Sequence, residues 1–128
     1  MKAVLVFTLL LALTFSLFTE SLINKYSIEV LEAGAEGTEP SKGDSVEMHY
    51  EGKLTNGQVF DSSFNRGNPL PLRIGTGQVI VCWDEVGLHL NLGAKVVVKC
   101  PSETAYGSRA VGPIPANSDL IFTIERVK

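Results

Sequence analysis

The chain has 128 residues, with 11 Lys and Arg against 14 Asp and Glu, for a formal net charge of −3. That length is room for one domain around one hydrophobic core. A mildly acidic chain with scattered bases offers no positive patch, which excludes nucleic acid and anionic membrane surfaces as electrostatic partners.

The chain opens with Met1-Lys2, an unbroken apolar and small run over residues 3–18, and the small residues of Thr19-Glu20-Ser21. This is the build of a secretory signal peptide, so residues 1–21 are assigned to the signal and residues 22–128 to the domain. The run is shorter than the roughly 20 apolar residues of a spanning helix; an uncleaved anchor is the alternative. The expected compartment is the secretory pathway (endoplasmic reticulum lumen or outside the cell) or a bacterial periplasm, with no membrane association after cleavage. Two cysteines, Cys82 and Cys100, remain in the domain. An even count in an oxidising compartment suggests one disulfide; two buried free thiols are the alternative.

Residues 26–31 alternate and read as a first strand, and residues 32–42, rich in Gly, Glu, Pro and Ser, as a loop. Residues 45–54 form an amphipathic strand, with Val46, Met48 and Tyr50 on one face and Glu47, His49 and Glu51 on the other. Asn56-Gly57 predicts a tight type I′ turn, and residues 59–61 the returning strand. Residues 62–69 read as a loop or bulge. Residues 70–74 resume the alternation, with Pro71 placing them at a sheet edge. Gly75-Thr76-Gly77 is a turn. Val79, Trp83, Val86 and Leu90 recur at three- and four-residue spacings, which predicts one short helix over residues 78–90, ended by Gly93. Residues 94–100 are strand and Pro101 stops it. A long loop over residues 102–119 carries Tyr106-Gly107 and Pro113-Ile114-Pro115, and residues 120–127 form the last strand. The sum is an α+β domain, a five-stranded antiparallel sheet with one short helix on one face.

The richest stretch is residues 60–83, FDSSFNRGNPLPLRIGTGQVIVCW. Large apolar groups with few polar ones among them suit a concave pocket for a small apolar ligand. Other chemistries fail on inventory. His49 and His89 have no Cys or acidic partners at zinc spacing. Ser62-Ser63 lacks the glycine-flanked elbow of a hydrolase. The Gly75-Thr76-Gly77 turn lacks the Lys-Ser/Thr of a phosphate loop. Cys82 is not in a Cys-x-x-Cys pair. No cofactor and no metal are expected.

Five segments, HYEGKL, NGQVFDSS, QVIVCWDE, AYG and IPANSDLIFTIE, stand in the order and nearly the spacing of a known family. Over residues 27–128 the chain resembles the FKBP-type peptidyl-prolyl isomerases. The resemblance implies a half-barrel antiparallel sheet wrapped around one short helix, and a peptidyl-prolyl cis-trans isomerase that needs no cofactor. It places the pocket at Tyr50, Phe60, Asp61, Arg66, Val79, Ile80, Trp83, Tyr106, Ile114 and Phe122. Trp83 becomes the floor on which a proline ring packs, and the Ile80 N–H and Tyr106 hydroxyl hold ligand carbonyls. It implies proline-containing polypeptide clients, rapamycin-like macrolides as inhibitors, and a monomer. In the family's fold the elements carrying Cys82 and Cys100 pack together, which makes the bridge geometrically reasonable. Taken singly, the aromatics read as ordinary core and Asp61 with Arg66 as a loop-pinning ion pair; it is the register of all of them that points to a pocket.

The chain departs from the family's pattern at the rim. Leu70 stands for a larger aromatic, Gln78 for a Glu and Val111 for a loop His, and the loop before Pro113 is about one residue shorter. Val86-Gly87 inverts the usual order after the tryptophan, which puts the local helix geometry in question. These departures leave a second reading, a macrolide- or peptide-binding module or holdase chaperone with little isomerase activity.

Overall fold

The computed structural model describes residues 22–128, and the expected signal sequence lies outside the described residues. Among the described residues no helix is long and apolar enough to cross a membrane. The strands are β1 (Ser27–Glu32), β2 (Ser45–Leu54), β3 (Val59–Ser62), β4 (Leu70–Arg73), β5 (Lys95–Cys100) and β6 (Leu120–Arg126). Between them, among the described residues, lie the helices α1 (Ser63–Arg66) and α2 (Val81–Gly87) and a 3-10 turn at Ser102–Thr104.

All pairings are antiparallel, in the order β1-β5-β6-β2-β3, with β4 also on β2. The sheet thus holds six strands where five are expected, because β3 and β4 share one edge. β3 pairs with Glu51, Gly52 and Lys53 of the long strand β2, and β4 pairs with the stretch from Ser45 to Met48. The sheet is five positions wide and its last position is filled by two short strands end to end.

One face carries the core. Val46, Met48, Tyr50 and Leu54 alternate inward along β2, and Val96, Val98, Leu120, Phe122 and Ile124 along β5 and β6. Against them α2 buries Cys82, Trp83 and Val86. Each such side chain contributes about 1.5–3 kcal/mol when fully buried. Cys82 and Cys100 are joined in a disulfide with their Cα atoms 5.8 Å apart, tying α2 to the end of β5.

Three local expectations are corrected. The hairpin after β2 is not a type I′ turn, which requires positive φ at both central residues. Gly57 has φ 90° but Asn56 does not share it. The Gly57 N–H donates to the Leu54 carbonyl and the Leu54 N–H to the Gln58 carbonyl, so the loop is one residue longer and a bulge follows at Gly52/Lys53. Residues 62–69 are not merely loop, since they hold α1, capped by the Ser62 hydroxyl accepting from the Asn65 N–H and closed by Gly67 at φ 76°.

The helix expected over residues 78–90 is shorter. Val79 and Ile80 stay outside it, Ile80 being extended at ψ 151°, and after Gly87 the chain tightens into i→i+3 bonds. The Val86-Gly87 order leaves α2 regular through both residues. Val86 is fully buried, and a Cβ at Gly87 would strike the Ile74 side chain and lie 3.3 Å from Met48 Cε. Glycine at 87 is what lets α2 lie this close to the sheet.

Candidate functional site

Trp83 sits on the buried face of α2 and is 4% exposed. Tyr50 of β2 meets it edge-on with ring centroids 4.9 Å apart, and Phe122 of β6 does the same at 5.3 Å. Phe60 of β3 stands edge-on to Phe122 at 5.7 Å. The indole is therefore fixed by two perpendicular rings in the arrangement aromatic quadrupoles prefer. Its Nε1 is buried and has no hydrogen-bond partner among the described residues.

The period-2 pattern explains how the strands bring these rings together. Tyr50 and Phe122 point to the same face, and Gly52 is the residue paired with Phe122 across the β2–β6 ladder. A Cβ on Gly52 would lie 2.8 Å from Phe122 Cε1 and closer still to the Phe60 ring. The missing side chain at an inward position of β2 is the space the two rings occupy.

Val79, Ile80 and Tyr106 are half-buried and pack against the core cluster, and Ile114 lies within it. Among the described residues no acceptor meets the Ile80 N–H and no partner meets the Tyr106 hydroxyl. The segment bearing Ile80 is pinned from below, where Asp84 of α2 accepts from the Gly75 and Gly77 N–H groups, both at 2.8 Å. The loop bearing Tyr106 is held by Gly107 N–H to Ser102 O, Asn117 N–H to Gly107 O, and Ser102 N–H to Asp119 Oδ1.

One polar cluster borders the aromatics. The Tyr50 hydroxyl donates to Asp61 Oδ2 at 2.5 Å and accepts from Arg66 Nη2 at 3.0 Å, while Arg66 Nη1 pairs with Asp61 Oδ1. The Tyr50 hydroxyl, helped by the Arg66 guanidinium, holds the Asp61 carboxyl below the ordinary carboxylate range. Burial, reinforced by Asp61, pushes the Tyr50 hydroxyl up. Asp61 is thus held as the carboxylate and Tyr50 as the neutral phenol, so the trio fixes a geometry and does not trade protons near neutrality.

Of the expected site residues, Tyr50, Phe60, Asp61, Arg66, Val79, Ile80, Trp83, Tyr106, Ile114 and Phe122 border or line this region. Leu70, Gln78 and Val111 are exposed and outside the buried cluster. Val111 pairs back onto Ile114 through two backbone hydrogen bonds of 2.9 Å, forming a tight rim turn. Gln78 turns away, its Oε1 accepting from the Arg73 N–H at the free edge of β4. There a separate surface groove of about 350 Å³ is lined by Ser45, Glu47, Pro71, Arg73 and Lys128.

Sequence reasoning passes over three residues that build the site, namely Gly52, Ser63 and Asp84. Gly52 carries a signal, since a glycine at an inward position of an amphipathic strand marks a close approach. Ser63 and Asp84 act through backbone groups and leave none.

Residues 36–127 match a family described as FKBP-type peptidyl-prolyl cis-trans isomerase. The chain is similar to FK506-binding protein 2 of Debaryomyces hansenii, 49% identical over 85 residues, covering 66% of this chain and 63% of that one. It is similar to FK506-binding protein 1 of Rhizopus delemar, 46% identical over 103 residues, covering 80% of this chain and 95% of the relative. It therefore spans less than two thirds of the first relative and nearly all of the second. The crystal structure of AtFKBP13 superposes with a TM-score of 0.76 at 41% identity, covering 80% of this chain and 91% of that chain.

Proposed function

The chain belongs to the FKBP-type peptidyl-prolyl cis-trans isomerase family, and on that premise we propose that it accelerates rotation about X–Pro bonds in exported polypeptides, at the pocket floored by Trp83. The observation that carries this reading is the aromatic geometry: a buried indole held edge-on by Tyr50 and Phe122, flanked by two unclaimed donors.

The barrier to rotation, roughly 18–20 kcal/mol, is lost amide resonance. The cis and trans ends differ by about 0.5–1 kcal/mol before proline, and no bond need break. Catalysis then requires only that the site prefer the twisted amide to either planar one. A planar amide is stabilised by charge separation that water solvates. Against Trp83, Phe60, Phe122, Val79 and Ile80 that solvation is withdrawn, which favours the less polar twisted form. The Ile80 N–H and Tyr106 hydroxyl hold the carbonyls flanking the proline. Asp61, fixed by Tyr50 and Arg66, sets the polar wall. A lowering of about 5–6 kcal/mol corresponds to roughly ten-thousand-fold.

The signal-like residues 1–21 and the Cys82–Cys100 bridge support an exported protein acting in the secretory pathway or periplasm. A mature N-terminus at Leu22 in protein recovered from the medium or lumen is the expected result. The activity is tested with peptides bearing Leu or Phe before Pro, at catalytic protein concentration, with and without rapamycin. Catalysis that rapamycin abolishes is expected. Rapamycin binding without catalysis would make the chain a binding module, with Leu70, Gln78 and the Val111 turn as the explanation to pursue. Loss of both would overturn the reading.

A further inference from the structure

The two short strands on the β2 edge leave a gap between them, and Tyr50 lies in it. β4 reaches β2 as far as Met48, and β3 begins its pairing at Glu51. No strand residue on that edge pairs with Tyr50. A buried backbone N–H left there without a partner would be strongly destabilising. The gap is filled by one side chain. Ser63, fully buried at the start of α1, places its Oγ 2.6 Å from the Tyr50 N–H and 3.3 Å from the Tyr50 carbonyl. His49 Nδ1 approaches the same Oγ at 2.9 Å.

We propose that Ser63, backed by His49, is a positioning residue for Tyr50, standing in for the missing strand contact so that β3 can turn into α1 at this point. The inference rests on the reading of the aromatic pocket as the isomerase site. The turn has a consequence for the site. Asp61 lies just before Ser63 and Arg66 at the end of the helix Ser63 opens, and both bind the Tyr50 hydroxyl. Residues 61–66 therefore grip Tyr50 at both ends, by the backbone through Ser63 and by the hydroxyl through Asp61 and Arg66. Moving the backbone grip moves the polar wall against Trp83.

The hydrogen inventory of Ser63 fixes one further detail. A hydroxyl has one proton to give and two lone pairs. Oγ accepts from the Tyr50 N–H. If its proton goes to the Tyr50 carbonyl, the remaining lone pair faces His49 Nδ1, and all contacts are satisfied only when Nδ1 carries a proton. In that arrangement His49 takes the Nδ1–H form, and its ring stacks on Phe64 with centroids 5.0 Å apart.

The test is made on the purified protein by nitrogen-15 NMR, amide exchange and the peptide isomerisation assay together. In the wild type, His49 Nδ1 is expected to resonate as a protonated nitrogen, and the Tyr50 amide to exchange as slowly as that of Ile124, its partner across the β6 ladder. Ser63→Ala is expected to speed exchange at Tyr50 by more than about tenfold relative to Ile124 and to lower kcat/KM by about tenfold. An increase equal at both amides, or an unchanged kcat/KM, would overturn the proposal. Should Ser63→Ala not fold, His49→Phe keeps the stack on Phe64 and removes only the Nδ1 donor. A rise in Tyr50 exchange of about threefold supports the relay, and no change refutes it. Exchange and the His49 signature need no turnover. A wild type that shows both but does not isomerise peptides would defeat the proposed activity while leaving the grip on Tyr50 established.

Discussion

Tyr50 and Asp61, eleven residues apart in sequence, meet through a 2.5 Å hydrogen bond between the phenol and Oδ2, and Arg66 closes the triangle from α1. The phenol gives the part-exposed carboxylate a donor from the protein side. Tyr50→Phe keeps the ring against Trp83 and removes only that donor. A hydrogen bond to a charged group contributes about 1.5–3 kcal/mol when buried, and the exposure of Asp61 and Arg66 brings this toward about 1 kcal/mol. Urea melts are expected to show a loss of that order. The isomerisation assay is expected to show a several-fold fall in kcat/KM, because Asp61 and Arg66 lose their third contact.

The same triangle sets a pH dependence. Asp61 is held below its ordinary value of 3.8, chiefly by the Tyr50 hydroxyl. A depressed carboxyl contributes stability that is fully present above its unfolded value and is lost as pH falls through the folded one. The Asp61 contribution is therefore intact at neutral pH and disappears below about pH 4. Tyr50 has the opposite sign: its hydroxyl is raised above 10.0, so its contribution is present below pH 10 and lost as the pH climbs further. Melting of wild type and Asp61→Asn from pH 2 to pH 7 checks the acid limb. The two curves are expected to converge at the acid end and separate above it, and parallel curves would contradict the assignment.

Much of this was legible in the sequence, and the failures share a cause. The inward sets of β2, β5 and β6 follow from strict alternation, because a strand with one buried face must place its large apolar groups every second residue. Trp83 was placed on the buried face of its helix by three- and four-residue spacing. What periodicity cannot see is a contact made by backbone. The true start of α2 depends on Asp84 holding two glycine N–H groups, and the turn into α1 depends on the Ser63 hydroxyl taking the place of a strand. Asn56-Gly57 misled for a related reason: the dipeptide favours a two-residue turn, but the bulge at Gly52/Lys53 sets a longer loop. At the rim, Leu70, Gln78 and Val111 were assigned by register alone. In the free chain Gln78 caps the Arg73 N–H, the free edge of a strand whose neighbouring Pro71 has no N–H to offer.

Gly52 is a test of packing inside the pocket. Its Cα lies under Phe60 and Phe122, and a methyl there would overlap both rings. In Gly52→Ala the rings must swing toward Trp83 or β2 must retreat from β3. Overpacking of this kind costs about 1–3 kcal/mol. Titration with rapamycin, followed by Trp83 fluorescence, is expected to show at least a tenfold loss of affinity with the protein still folded. Wild-type affinity in this variant would mean that Phe60 and Phe122 do not wall the binding site.

The disulfide joins Cys82, the residue before Trp83, to Cys100 at the end of the strand that leads into the Tyr106 loop. Closing a loop with a sequence separation of 18 stabilises by about 3 kcal/mol, chiefly by restricting the unfolded chain. Cys82→Ala with Cys100→Ala is expected to lower Tm by several degrees and to loosen α2 before the sheet, seen as amide exchange rising first at Trp83 and Val86. Equal melting temperatures with the bond intact and removed would show that the helix is held by packing alone.

Tyr106 separates binding from stability. Unlike Tyr50, its hydroxyl has no protein partner among the described residues, while its ring packs against the core cluster. Tyr106→Phe therefore removes a group that holds nothing together in the free protein, and its melting temperature is expected to stay within about a degree of wild type. If the hydroxyl donates to a substrate carbonyl, its loss removes a hydrogen bond formed only in the complex, weakening peptide and macrolide binding by about five- to tenfold. How the loss divides between KM and kcat then locates the bond. A rise in KM alone means that planar and twisted amides are held equally, whereas a fall in kcat means that the hydroxyl grips the twisted form more tightly. An unchanged affinity at unchanged Tm would remove Tyr106 from the site and leave the Ile80 N–H as the anchoring donor.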